Sequence, residues 1–155
     1  MAVYVTLGKI PRLRGMNIMK KTVLIFFILA AAFNAVYAVS PSPDGVSLYI
    51  ISPADGETLS SPVTVKFGLQ GMGVAPAGVE IENTGHHHLI IDAGLPALDQ
   101  PVPADNQHIH FGKGQTETTV ELAPGKHTLQ LLLGDFTHTP HSPPVMSEKI
   151  TITVK

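Results

Sequence analysis

Eight histidines fall between positions 86 and 141 of this 155-residue chain and none falls elsewhere. They form the sets His86-His87-His88, His108-Ile109-His110, His127, and His138 with His141. Imidazole titrates near neutrality and, in its neutral form, is the commonest metal ligand among side chains. The sequence contains no cysteine, which excludes a thiolate site, a disulfide and a lipid-modified cysteine, so any metal must be held by nitrogen and oxygen. Neutral imidazole with carboxylate suits Cu(II), Zn(II) or Ni(II), and copper has the highest intrinsic affinity of the divalent series. The candidate ligands are His86, His88, His108, His110, His138 and His141, with Asp92 and Asp135 as further ligands or as groups that orient an imidazole by hydrogen bonding. The implied partner is a copper or zinc ion.

Strand alternation turns these sets into geometry. If Ile109 and Phe111 face a core, His108 and His110 point together to the opposite face, about 6–7 Å apart along the strand. The same parity puts His86 and His88 on one side, and His87 with Leu89 and Ile91 on the other. Were the two strands neighbours, opposed Cβ atoms would lie about 4.5–5.5 Å apart, close enough for imidazoles to share an ion at ~2.0–2.1 Å. The connection from Ala93 to Asn106 carries Pro96, Pro101 and Pro103 and is long enough to cross to another sheet, so the pairing stays open. Three nearby prolines, Pro140, Pro143 and Pro144, reduce the entropy lost on holding His138 and His141 near a strand end. His127 shares parity with Leu129, Leu131 and Leu133 and reads as structural. His87, on the core parity, reads as a hydrogen-bonded rim residue. A competing use of so many imidazoles is a pH-responsive surface.

The elements that must position these groups are short β-type runs separated by Pro, Gly and Asp turns, with no helical period sustained over three turns. Val46, Leu48 and Ile50 mark one inward face. Val63, Val65, Phe67 and Leu69 alternate with Thr64, Lys66 and Gln70 in a half-buried antiparallel strand. Thr118, Val120 and Leu122 mark a third, the turn Ala123-Pro124-Gly125-Lys126 leads into Leu129, Leu131 and Leu133, and Ile150, Ile152 and Val154 close the chain. The expected fold is an all-β, immunoglobulin-like antiparallel β-sandwich of about seven strands over residues 46–155, preceded by a flexible lead-in at 39–45 and an N-terminal signal helix.

Residues 1–38 read as a secretory signal peptide. Lys20 and Lys21 precede the apolar run Val23 to Ala32, and the small residues of Ala35-Val36-Tyr37-Ala38 follow, with the cut expected after Ala38. Met19-Lys20-Lys21 opens such a signal in the usual way, so residues 1–18 are read as an extension of its basic region or of the start site. An uncleaved anchor would want ~20 apolar residues, a span that Asn34 interrupts. The expected destination is periplasmic or secreted, with no stable membrane insertion after cleavage. Processing leaves five lysines, no arginine and twelve carboxylates, a net charge of −7, which disfavours nucleic acid and anionic membranes as partners.

Three resemblances carry further expectations. The phrase from Ser52 to Phe67 (Ser-Pro-Ala-Asp-Gly-Glu-Thr-Leu-Ser-Ser-Pro-Val-Thr-Val-Lys-Phe) resembles the opening strands of bacterial immunoglobulin-like modules, which implies a two-sheet sandwich. Gly85 to Asp92, Leu98 to Asp105, His108 to Glu117, Pro124 to Leu131, and Gly134-Asp135 with His138 to His141 together look like the bacterial exported family known as domain of unknown function 4399. That resemblance implies export and fold and no particular activity. His108-Ile109-His110-Phe111-Gly112 is also similar to a His-x-His-x-x-Gly segment of copper/zinc superoxide dismutases, but its glycine stands one position nearer the histidines and the cysteines of that family are missing. No nucleophile elbow, phosphate loop or paired-carboxylate pattern is visible. The sequence therefore favours a metal-binding module over two alternatives, a non-metal interaction or structural module of the cell envelope and a metal-dependent enzyme.

Overall fold

The computed structural model describes residues 39–155; the expected signal peptide and signal helix lie outside the described residues. Among the described residues nine strands follow one another: β1 (Ser47–Ser52), β2 (Thr58–Leu59), β3 (Val63–Gln70), β4 (Gly73–Val74), β5 (Thr84–Ile91), β6 (His108–His110), β7 (Glu117–Val120), β8 (Gly125–Gly134) and β9 (Ile150–Val154). Among the described residues there is no helix, and hence none long and apolar enough to cross a membrane. One sheet has the order β1-β3-β7; the other runs β2-β9-β8-β5-β4, with β6 also on β5. The long strands pair antiparallel, as alternation led us to expect. The two extra two-residue strands depart from that pattern, since β2 joins β9 and β4 joins β5 in parallel.

The inner faces meet in one core. Leu48, Val63, Val65, Phe67 and Val120 come from the first sheet, and Leu89, Ile91, Leu129, Leu131, Leu133, Ile152 and Val154 from the second. Period-two spacing in the sequence put each of these on an inward face. The second sheet is also covered over part of its other side. The segment between β5 and β6 folds back across it, and Ile90 and Leu132 pack there with Val102, Ala93 and Leu98 in a smaller cluster. Seven of the eight residues of β5 are buried. Residues 40–42 run beside Ser142, with Ser42 N–H donating to the Ser142 carbonyl and Ser142 N–H to the Ser40 carbonyl.

Candidate metal centre

The chain after β5 crosses the outer face and returns as β6, antiparallel to β5 on the side away from β8, with His88 opposite His110 and Ile90 opposite His108. Because His87, Leu89 and Ile91 point into the core, His86 and His88 project from the other face of β5, where His110 joins them. His138 arrives from the loop after β8, whose end is in register with His86 through Gly134. Ring centroids lie 4.9 Å apart for His86 and His110, 5.0 Å for His86 and His138, and 4.8 Å for His110 and His138. His88 stands 4.8 Å from His86 and stacks on His110 at 5.2 Å, but is 6.3 Å from His138. One nitrogen from each of His86, His110 and His138 lies within 4.8 Å of the others, so these three could hold a metal ion.

The cluster is graded from inside to outside. His86 and His88 are at most 1 % exposed, His138 is half-buried and His110 reaches solvent. Neither ring nitrogen of His86 or His88 has a hydrogen-bond partner among the described residues. The Leu132 carbonyl lies close enough to His88 to favour its protonation slightly, but not with hydrogen-bond geometry. An unpaired buried polar group costs about 1–3 kcal/mol, and a cation held by His86, His110 and His138 would engage one nitrogen of the His86 ring. Burial, followed by the neighbouring His110 and His138, lowers the His86 pKa to about 4. Burial with His86, His110 and His138 lowers that of His88 to about 3. His110 is also lowered, by burial and then by His138. All three are thus held neutral at neutral pH, the form that donates a lone pair to a metal.

The loop that delivers His138 is built by Asp135. Its Oδ1 accepts from Thr137 N–H (2.8 Å), Thr137 Oγ1 (2.7 Å) and Thr139 N–H (3.1 Å), and its Oδ2 accepts from Ser40 Oγ (2.8 Å). Burial alone would push this carboxyl up, but the hydroxyl and amide donors outweigh it and hold the pKa below the usual carboxylate range. His138 itself has φ 72°, an uncommon conformation for a residue with a side chain and one that functional sites often retain. Its carbonyl accepts from Val102 N–H at 3.0 Å. Two glycines give the rings room: a Cβ at Gly134 would sit 2.8 Å from Cε1 of His88, and one at Gly112 would sit 2.6 Å from Nε2 of His110 and closer still to Cε1.

Four of the candidate ligands, His86, His88, His110 and His138, come together; His108 and His141 do not. His108 lies one strand period from His110, and Asp105 Oδ1 holds its Nδ1 at 2.9 Å. His141 is directed to the edge of β5, where its Nε2 donates to the Thr84 carbonyl at 3.2 Å. Nor is Asp92 a partner of the cluster. It follows the far end of β5, about 20 Å along the strand from His86 at ~3.3 Å per residue, and its carboxylate takes His127 Nδ1 (2.7 Å) and Thr128 N–H (2.7 Å). Asp135 bonds to the loop backbone and hydroxyls rather than to an imidazole. His87 is not on the rim. It is fully buried against Phe67, 5.2 Å between centroids, with neither nitrogen partnered among the described residues.

Sequence reasoning did not find Gly112, Gly134, Thr137, Thr139 or Ser40 as supports of the centre. The one local signal was Asp135-Phe136-Thr137-His138-Thr139, in which a carboxylate followed by hydroxyl residues two and four positions on favours a side-chain-capped turn. Residues 65–155 match the family model described as a domain of unknown function (DUF4399). No curated protein and no solved structure matches the chain.

Proposed function

Since the chain belongs to this DUF4399 family, whose description assigns no activity, we propose from the imidazole cluster that it is an exported metal-binding domain, periplasmic or secreted, with an immunoglobulin-like fold. It takes up copper or zinc through His86, His110 and His138, with the buried His88 beside them as a fourth imidazole. The observation that supports this reading is the convergence of three ring nitrogens within 4.8 Å on a face where the inner rings have no hydrogen-bond partner among the described residues. An all-nitrogen set of imidazoles with no thiolate fits Cu(II) first and Zn(II) next. His110 and His138 form the side nearest water, and that is the side from which an ion would enter and leave.

The test is metal titration of the purified, chelator-stripped protein with Cu(II) and with Zn(II), followed by metal analysis after dialysis. One tightly bound equivalent per chain, with nitrogen-only coordination in the X-ray absorption or electron paramagnetic resonance spectrum, is expected. Failure to retain either ion at micromolar concentration would remove the reading.

A further inference from the structure

We propose that Ser40 is a positioning residue for the metal centre, and that residues 40–42 act as a strap which holds the His138 loop in its ligating conformation. This inference rests on the metal reading above. The strap grips the loop at both ends. At the near end the Ser40 hydroxyl donates to Asp135 Oδ2 across 95 positions of sequence. At the far end Pro41 bridges Ser142, backbone bonds join Ser40 and Ser42 to Ser142 at 3.0 and 3.2 Å, and Ser42 Oγ donates to the Pro143 carbonyl at 2.7 Å. His138 lies between these two anchors.

The Ser40 bond matters because of what the other oxygen of the same carboxylate does. Asp135 is 3 % exposed, and its Oδ1 alone gathers the three donors that shape the turn at 137–139. Without the Ser40 hydroxyl, Oδ2 is a buried charged oxygen with no donor, and rotation toward water becomes the way to satisfy it. Such a rotation withdraws Oδ1 from Thr137 and Thr139 and releases the strained backbone of His138. The carboxylate also attracts positive charge at His86, so its placement favours a cation in the cluster as well as the shape of the loop. A hydroxyl on a segment remote in sequence thereby sets the position of a ligand it does not touch.

Two variants of the full chain test this, Ser40→Ala, which removes the hydroxyl, and Ser42→Pro, which removes the N–H given to Ser142. In metal-free protein, hydrogen exchange of the Thr137 and Thr139 amides is expected to quicken in both variants while amides of β3 and β9 keep their protection. In metal-loaded protein, Cu(II) or Zn(II) transfer to a chelator is expected to quicken about tenfold or more for Ser40→Ala, the size of one lost hydrogen bond to a charged group. In a His138→Ala background the same substitution should leave the transfer rate unchanged, because the ligand it positions is gone. Unchanged amide exchange overturns the strap. So does faster exchange with an unaltered transfer rate, or an equal effect with and without His138. If the unsubstituted protein holds no metal, the metal reading falls, and amide exchange alone still decides whether the strap orders the loop.

Discussion

The two ends of β5 carry imidazoles in opposite circumstances. At the start of the strand, His86 and His88 are buried among other histidines, without side-chain hydrogen bonds among the described residues, and are held neutral. Beyond its end, His127 is gripped on both sides: Nε2 donates to the Ala123 carbonyl at 2.8 Å, and Nδ1 faces the Asp92 carboxylate at 2.7 Å. With one nitrogen committed as a donor to a carbonyl, the other meets a carboxylate best when it too carries a proton. Accordingly Asp92, then the Ala123 carbonyl, raises the His127 pKa. The same side chain is prepared as a lone-pair donor at one place and as a cation at the other. Histidine count alone therefore says little about metal binding; the partner of each ring nitrogen says much more.

The sharpest way to break this comparison is to delete one imidazole from each end. His86→Ala removes the ring that contacts all three other cluster members, so metal affinity should fall by roughly a hundredfold or more, exceeding the ~10–100-fold cost typical of groups outside the direct ligand set. His127→Ala should leave affinity unchanged. Competition with a chromophoric chelator measures both. Equal losses, or none in either variant, would mean that the two environments do not differ in their relation to metal.

A smaller effect is expected at Gly112, where an added Cβ would overlap the His110 ring. Since that ring ends at the protein surface, Gly112→Ala should displace it without unfolding the core and weaken metal binding by roughly ten- to a hundredfold. The thermal midpoint of the metal-free protein should barely move. An unaltered affinity would show that His110 has another rotamer equally suited to the ion.

Much of this arrangement was legible in the sequence because period-two alternation is a strict geometric rule. It separated His86 and His88 from His87, and His110 from Ile109 and Phe111, and it found the inward residues of the long strands. What it could not supply was the return of the chain after Asp92, because a segment with three prolines can lead to either sheet. Nor could it say which of His138 and His141 faces the cluster, since the hydrogen bonds of Asp135 decide that and one of them comes from Ser40, 95 residues away. The full burial of His87 escaped for a related reason. Its parity placed it inward, but the depth depends on Phe67 of β3 and on Phe111 just after β6, neither of which is near it in sequence.

His87 supplies the next test, one of acid stability. Burial lowers its pKa from 6.5 to about 4, opposed only by the Gln115 carbonyl, which lies nearby without forming a hydrogen bond. A base whose folded pKa lies below its unfolded value takes up its proton more readily on unfolding, so stability is lost as pH falls from 6.5 through about 4. The full loss is on the order of 3 kcal/mol for a shift of that size. Phenylalanine removes the titration and extends the contact with Phe67. His87→Phe should therefore flatten the decline in metal-free stability on acidification, as read by denaturant midpoints at several pH values. An unchanged slope would mean that this ring finds a proton-accepting partner when charged.

The smallest effect belongs to the paired end and has the opposite sign. His127 has a raised folded pKa, so its contribution is fully present below 6.5 and is lost as pH rises through the folded value. Asp92→Asn keeps the shape and removes the charge that favours the imidazolium, while its remaining carbonyl oxygen can still accept from Thr128. The variant should lie slightly below the unsubstituted protein in thermal midpoint under mildly acidic conditions and converge with it in base. Because Asp92 is well exposed at 42 %, solvent screens the pair and the difference stays small. A gap that widened with rising pH would show that His127 is neutral in the folded protein, and the contrast between the two ends of β5 would then lie in hydrogen bonding alone, not in charge.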